Sequence, residues 1–479
     1  MIQKIVNLVC SILFQIISSI MDVLIEIIRA MIPEKRNTKF DADFTPIHKM
    51  FSTKDKGFCF GEWKTTMHSV FEHGIITAPS GGGKTTLICL PTIYNLSENF
   101  SLVINDPSGN EIYSLTSGAL TASGIKILKL DFNNPQSSIG FNALAKCKTH
   151  SDIQKVAHVL IKNSMGESKD VFWERSSEML ICCMAKYLVF HAEPQFKNLA
   201  NVLHLVNQFA VNPTEIDKLM VATKDQELLQ EYKAINATGD KTLQGIISST
   251  RAALNIFQDP SVAMITSHDT LDFEDLRNFR IAIYLCTSVT TATYFRAIAA
   301  LFYESLFNHI LSEIPSQEKY PIAVILDEAA SMKFSALSLY IANLRKFRCS
   351  VMLLLQSQQQ LISLYGNNEA YNIKNNTSYQ VYLPRQPLES CKEIFSILGQ
   401  FQFYDEESNT RKLRPLMTVQ EIFQCEETFI IHSNVVTKTK LVPYYEQPKL
   451  KALSQIAPYK FVSEMKFNAP VFIRFSDET

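Results

Sequence analysis

The chain has 479 residues, of which 46% are hydrophobic, and a formal net charge of −1. Length and apolar content suffice for two or three domains with real cores, and near-neutral charge excludes a global basic field, so any nucleic-acid contact must use local patches. Ten cysteines without a Cys-x-x-Cys pair and ten histidines without a His-Glu-x-x-His spacing exclude a disulfide framework and the common zinc motifs, and fit a reducing compartment.

The first element, residues 1–33, stands apart. Ile5 to Met21 carries no charge, a run of about 17 residues or roughly 26 Å as a helix, slightly short for a full crossing. Asn7, Ser11, Gln15, Ser18, Asp22, Glu26 and Arg29 recur three or four residues apart and form one polar stripe on an otherwise apolar helix. The stripe fits a single membrane helix turned toward partner helices, an amphipathic helix lying on the membrane, or a buried helix of a soluble assembly. Lys35, Arg36 and Lys39 follow the segment and only Lys4 precedes it. For a membrane-associated helix that asymmetry puts the body of the protein in the cytoplasm.

A polar linker leads into residues 34–148, where strand-length apolar runs begin. Gly74–Ala78 reads as a short strand, followed by Pro79-Ser80-Gly81-Gly82-Gly83 and then Lys84-Thr85-Thr86 opening an apolar helix. This is the layout of a phosphate cradle. Glycines let backbone N–H groups point inward, and the helix presents its positive end. Lys84 would reach the β- and γ-phosphates of ATP, and the Thr85 hydroxyl would ligate Mg²⁺. The bland alternative is a glycine-rich loop beside an unrelated helix. Leu102–Asp106 is a second strand, running into Pro107-Ser108-Gly109. Asp106 would lie at the carboxyl edge of the sheet, either near the phosphates or capping the turn. Ile125–Leu130 is a third strand.

Residues 149–262 change character. Helical periodicity with polar punctuation and few β-branched runs predicts an all-α insertion. Its Phe172-Trp173 pair could stack on a single-stranded base, although a core tryptophan is the commoner use of such a residue.

Strands return over residues 263–447, at Ile281–Cys286, Ile322–Asp327, Val351–Gln356, Gln380–Leu383 and Thr428–His432. Most runs are continuous rather than alternating, as expected of strands covered on both faces, and helices separate them. The fold class read from this is α/β, with a mostly parallel, doubly wound sheet. Asp327 and Glu328 end an apolar strand. Asp327 would hold the Mg²⁺ shell and Glu328 would polarise the attacking water. Gln356 ends the following strand and would sit beside the γ-phosphate. Arg345, Lys346 and Arg348 precede that strand, where a basic residue could reach a neighbouring subunit's nucleotide. Arg385, Arg411, Lys412, Lys438 and Lys440 are candidates for a DNA path. The last segment, residues 448–479, has too little pattern to assign.

In this order these residues resemble the coupling-protein ATPases of type IV secretion and conjugation, the TraG/TraD class, over about Gly57 to Tyr445. Ala78-Pro79-Ser80-Gly81-Gly82-Gly83-Lys84 is similar to that family's Walker A loop and Leu326-Asp327-Glu328 to its Walker B. Gln356-Ser357-Gln358-Gln359-Gln360-Leu361 with Tyr365-Gly366 resembles its Gln-Ser…Gln-Leu…Tyr-Gly motif. Phe141-Asn142-Ala143-Leu144 and Arg414-Pro415-Leu416 resemble two further family signatures, and Arg345 stands at the position of its inter-subunit arginine. One stretch departs from the family. Asp106-Pro107-Ser108-Gly109-Asn110 stands where the family has Asp-Pro-Lys-Gly-Glu.

The resemblance implies a RecA-like P-loop domain with an inserted all-α domain and an N-terminal membrane-associated helix. It also implies homo-hexamers at the bacterial inner membrane with the ATPase body in the cytoplasm. These would use ATP and Mg²⁺ to pass relaxase-bound single-stranded DNA, or effector proteins, to the type IV secretion channel. Two other readings stay open: a substrate receptor that binds nucleotide without hydrolysing it, and a duplex-DNA translocase of the chromosome-segregation kind.

Overall fold

The computed structural model describes residues 41–165, 171–405 and 410–475. The helix expected over residues 1–33 lies outside the described residues. Among the described residues no helix is long and apolar enough to cross a membrane.

Residues 44–391 and 423–475 form one compact unit. It opens with a two-stranded antiparallel ribbon, β1 (Cys59–Phe60) and β2 (Trp63–Lys64). Its centre is a nine-stranded sheet. In chain order its strands are β3 (Gly74–Thr77), β4 (Ser101–Asp106), β5 (Lys126–Leu130), β6 (Ile281–Cys286), β7 (Ile322–Leu326), β8 (Cys349–Leu355), β9 (Tyr379–Tyr382), β12 (Thr428–His432) and β13 (Val435–Thr439). Across the sheet the order is β13-β12-β9-β3-β8-β7-β4-β6-β5. Pairing is parallel from β9 through β5, while β12 runs antiparallel to β9 and β13 antiparallel to β12. All eight strands expected from the sequence fall in this sheet. The ninth, β13, extends it at the edge.

The uninterrupted apolar runs have a simple cause. In β7, Ile322, Val324 and Leu326 join one apolar cluster and Ala323 and Ile325 the other. In β8, Val351, Leu353 and Leu355 face the first cluster and Met352 and Leu354 the second. Successive side chains point to opposite faces, and both faces are covered, so every position must be apolar. Helices Leu90–Leu96 and Glu111–Ala122 contribute to the second cluster. The first takes in Ala292–Ile310 and Leu337–Leu344.

Among the described residues between His150 and Thr266, every regular element is helical. The first of these helices is His150–Ser164. The Thr149 hydroxyl accepts from the Asp152 N–H and the Asp152 carboxylate accepts from the Thr149 N–H, a reciprocal cap that contributes about 1 kcal/mol. These helices share the apolar cluster that covers one face of the sheet, so no separate core sets them apart. Trp173 packs against this cluster, and helix Asp240–Leu254 approaches its ring at Gly245, where a Cβ would stand 2.6 Å from the indole.

The described parts of the second unit are residues 41–43, 392–405 and 410–422. It holds an antiparallel hairpin of β10 (Gln400–Asp405) and β11 (Thr410–Pro415), paired from Gln400 with Pro415 to Asp405 with Thr410. The sequence reading contains neither strand.

Candidate functional site

The glycine-rich loop follows β3 at its carboxyl end. Gly81 and Gly83 have φ of +71° and +88°, in the left-handed region that glycine enters without a Cβ penalty. Gly82 is constrained differently: a Cβ there would lie 2.9 Å from the Pro79 carbonyl, which accepts the Gly82 N–H. The loop therefore folds tightly only with small residues. Ala78 is tied to the sheet through its N–H to the Leu355 carbonyl at 3.0 Å.

After the loop the chain enters a wide π-type helix, Lys84–Cys89, that continues as Leu90–Leu96. Lys84 Nζ folds back to the Ala78 carbonyl at 3.0 Å, so its ammonium stands over the loop. The Thr86 hydroxyl donates to the Gly83 carbonyl at 3.3 Å. Thr85 is half-buried beside it, while Ser80 and Gly81 are exposed.

The sheet order sets what faces this loop. β8 lies next to β3, and β7 next to β8, so the end of β7 is about two strand spacings, or ~10 Å, away from the end of β3. Asp327 leaves β7 buried. Burial pushes its carboxyl up to about 6, with the Lys84 ammonium opposing and the Glu328 carboxylate adding. Lys84 and Asp327 are thus electrostatic neighbours although 243 residues separate them in the chain (327 less 84). The Asp327 Oδ1 accepts from the Glu328 N–H at 3.0 Å, and its carbonyl accepts from Asn105 Nδ2 on the adjoining β4 at 2.7 Å. Glu328 takes a left-handed conformation, φ +52°, which a side chain with a Cβ enters only when its surroundings impose it.

Gln356 follows β8 and is exposed; its N–H donates to Gln360 Oε1 at 2.8 Å. Gln360 is the carboxamide that reaches the acid pair, with Nε2 donating to Glu328 Oε1 at 3.1 Å. Sequence reasoning singled out Gln356 and passed over Gln360 and Asn105. Asn105 is a polar residue inside an apolar strand and Gln360 lies one helical turn after the strand end, so both signals were present in weak form.

Arg345 stands elsewhere. It precedes the amino end of β8, whereas the loop and the acids sit at the carboxyl end of the sheet. Its guanidinium lies 3.4 Å from Glu72, just ahead of β3. Asp106 is absorbed by its own turn, accepting from the Ser108 N–H and hydroxyl and from the Tyr113 N–H. Three of the basic side chains suggested for a DNA path are paired with acids: Lys412 with Asp405, Lys438 with Glu427 and Lys440 with Glu426.

A small-residue loop, an ammonium and a buried carboxylate raised by desolvation form an arrangement suited to an anion accompanied by a divalent cation. Among the described residues no cluster of three or more His, Cys, Asp or Glu could cage a metal by itself.

Fold and site together define an α/β protein of the RecA-like class. Among solved structures, the chain resembles the bacterial conjugative coupling protein TrwBdeltaN70 in complex with sulphate, with a TM-score of 0.69 and 18% identity over 90% of this chain and 98% of that one. The plasmid coupling protein TrwB in complex with ADP and Mg²⁺ gives 0.67 and 17%, over 91% and 97%. Residues 34–467 match the family described as type IV secretory system conjugative DNA transfer, and the chain belongs to that family. Its relatives include protein VirD4 of Agrobacterium fabrum, 22% identical over 413 residues, covering 80% of this chain and 60% of VirD4. The conjugal transfer protein TraG of Rhizobium radiobacter is 24% identical over 309 residues, covering 62% of this chain and 47% of TraG. The chain thus spans about 60% of the length of the VirD4 relative.

Proposed function

We propose that this protein is an ATP-hydrolysing coupling protein of a type IV secretion or conjugation system. One observation carries the reading: Lys84 and the Asp327–Glu328 pair, distant in sequence, stand at the carboxyl edge of one sheet, where the Lys84 charge opposes and the Glu328 charge adds to the upward push of burial on the Asp327 carboxyl. That TrwB has been solved with ADP and Mg²⁺ and with a non-hydrolysable ATP analogue supports it.

The residues divide the work as follows. The loop Ala78–Thr86 wraps the phosphates with backbone N–H groups, and Lys84 leaves the Ala78 carbonyl to meet them. Thr85 and Asp327 would hold Mg²⁺, which when bound draws charge from the phosphoryl oxygens. Glu328 accepts a proton from the attacking water. Gln360 fixes the carboxylate that does so, and the Gln356 backbone fixes Gln360. Arg345 acts on a neighbouring subunit's site, which requires a ring; six subunits is our reading. Residues 1–33 attach the ring to the inner membrane with the body in the cytoplasm. The helical insertion, residues 149–262, selects relaxase-bound single-stranded DNA or effector proteins for the channel.

Steady-state turnover of purified protein, alone and with single-stranded or duplex DNA, tests the reading. The unaltered chain should hydrolyse ATP faster with single-stranded DNA, and Lys84→Ala and Glu328→Gln should not turn over. Full turnover in Lys84→Ala would sink the assignment of the site. Nucleotide binding without turnover in the unaltered chain would make the protein a receptor, and stimulation by duplex alone a duplex translocase.

A further inference from the structure

The chain leaves Glu328 through a short 3₁₀ turn, Ala329–Ser331, in which the Ser331 N–H donates to the Glu328 carbonyl at 2.9 Å. Residues 332–336 then run without regular structure to helix Leu337–Leu344, so their backbone N–H groups need partners from elsewhere. Three consecutive ones find side chains, each on a different helix. The Lys333 N–H donates to Asn163 Oδ1 at 2.9 Å, the Phe334 N–H to the Tyr365 hydroxyl at 3.0 Å, and the Ser335 N–H to Glu304 Oε1. Asn163 also donates from Nδ2 to the Lys333 carbonyl at 2.8 Å, so one carboxamide holds both backbone groups of one residue.

The three helices differ in what else they hold. Asn163 is buried near the end of His150–Ser164, the first helix of the helical insertion. Glu304 is buried on Ala292–Ile310, and Arg296 of the same helix donates from Nε to the Asn163 carbonyl. Tyr365 lies on Gln358–Asn375, the helix whose Gln360 reaches Glu328 Oε1. That helix therefore grips the stretch at two points, the Glu328 carboxylate and the Phe334 N–H. Directly after Tyr365 it breaks at Gly366, with φ +76° and ψ 168°, a conformation essentially confined to glycine. Gln358–Tyr365 is thus a piece of about two turns, bounded by the end of β8 and by a kink, and fixed to residues 328–334 through two of its side chains.

We propose, on the reading that Glu328 is the base of hydrolysis, that Asn163 and Tyr365 are positioning residues for that step: through residues 333–335 they set where Glu328 stands, so that turnover depends on the seat of helix His150–Ser164. Removing either side chain leaves a backbone N–H of the stretch unmet and shifts the stretch, not the phosphate loop. The loss therefore falls on kcat while nucleotide binding is kept. Coupling of this kind is reciprocal: a nucleotide that moves Glu328 and Gln360 also moves helix His150–Ser164.

The test uses the purified full chain. Asn163→Ala should lower kcat at least about tenfold and Tyr365→Phe about three- to tenfold, with nucleotide affinity within about twofold of the unaltered chain. Asn142→Ala is the comparison for stability, because Asn142 is a similarly buried carboxamide that donates to the Lys197 carbonyl and accepts from the Leu144 N–H. It should lower the unfolding midpoint as Asn163→Ala does and keep its kcat. Adding Tyr365→Phe to Gln360→Ala should slow turnover by no more than about twofold further, because the two act on one element. Equal falls in kcat for Asn163→Ala and Asn142→Ala, or losses that multiply in the double variant, overturn the proposal. Hydrogen exchange gives a measure without turnover. A non-hydrolysable ATP analogue with Mg²⁺ should change exchange at least about twofold at residues 159–164 as well as at 328–335, and Asn163→Ala should confine the change to 328–335. A change that never reaches 159–164 while the analogue is bound overturns the proposal. Absence of turnover in the unaltered chain overturns the hydrolysis reading and this role with it; normal turnover in Asn163→Ala and Tyr365→Phe, beside an inactive Lys84→Ala, overturns this role alone.

Discussion

The Gln360 carboxamide bridges the end of β8 to the acid at the end of β7: it accepts from the Gln356 N–H at 2.8 Å and donates to Glu328 Oε1 at 3.1 Å. A carboxylate on a left-handed residue has few ways to be aimed, and this bond fixes one of its oxygens. Gln360→Ala should therefore lower kcat about 10- to 100-fold, a part of the roughly 10²–10⁴-fold that a positioned general base contributes, with little change in KM. Gln356→Ala should cost much less, because its contribution here is a backbone N–H. Steady-state kinetics on both variants checks the ranking, and equal losses would return Gln356 to the central role.

Arg345 cannot serve the phosphate loop of its own chain. It precedes β8, whose seven residues run about 23 Å to the carboxyl edge. Arg345→Ala should abolish most turnover, roughly 10³-fold for a trans-acting arginine, yet leave nucleotide affinity intact. Mixing Arg345→Ala with Lys84→Ala should recover part of the activity, since some interfaces then join an intact Lys84 to an intact Arg345. Turnover that stays absent in every mixture would argue that Arg345 supports only its own chain.

The strands were legible because burial on both faces leaves an unbroken signature, as in Ile322–Leu326, and because β3 and β7 end in residues of distinctive chemistry. The edge was harder. β13 pairs with β12 around Ser433 and Asn434, both with positive φ, a hairpin signal written in two residues. The β10–β11 hairpin is largely exposed and carries charged residues in β11, so no apolar run announces it. Asp106 illustrates a different limit: its place at the carboxyl edge was readable, but whether its oxygens serve a ligand or their own turn depended on Ser108 and Tyr113. The Gln360–Glu328 bond joins two polar stretches 32 residues apart, and periodicity carries no information about which of several glutamines spans the gap.

Trp173 offers a test of packing against recognition. At Gly245 a Cβ would meet two indole carbons at 2.6 and 2.7 Å, closer than any real contact. Gly245→Ala should destabilise the protein by about 1–3 kcal/mol through overpacking, outweighing the ~1 kcal/mol that alanine gains over glycine in a helix. Denaturant midpoints check this. Single-stranded DNA affinity should not change in the folded variant; a loss there without destabilisation would make the indole a base-stacking platform.

His73 gives the pH dependence. It is buried at the start of β3 with φ +60°, and its Nδ1 accepts from the Val351 N–H at 3.0 Å. Burial lowers its pKa to about 4, with the Arg345 charge adding to the effect. The folded pKa lies below the unfolded value near 6.5, so the unfolded chain takes up the proton first. The stability owed to neutral His73 is complete above about pH 6.5 and drains away as pH falls toward 4, by roughly 3 kcal/mol. His73→Asn keeps an acceptor and carries no titrating group. Urea unfolding at pH 7 and pH 4.5 should show the unaltered protein losing more stability than His73→Asn, by about 2–3 kcal/mol. Parallel losses in the two proteins would mean that the imidazole is already solvated or that Val351 is not its partner.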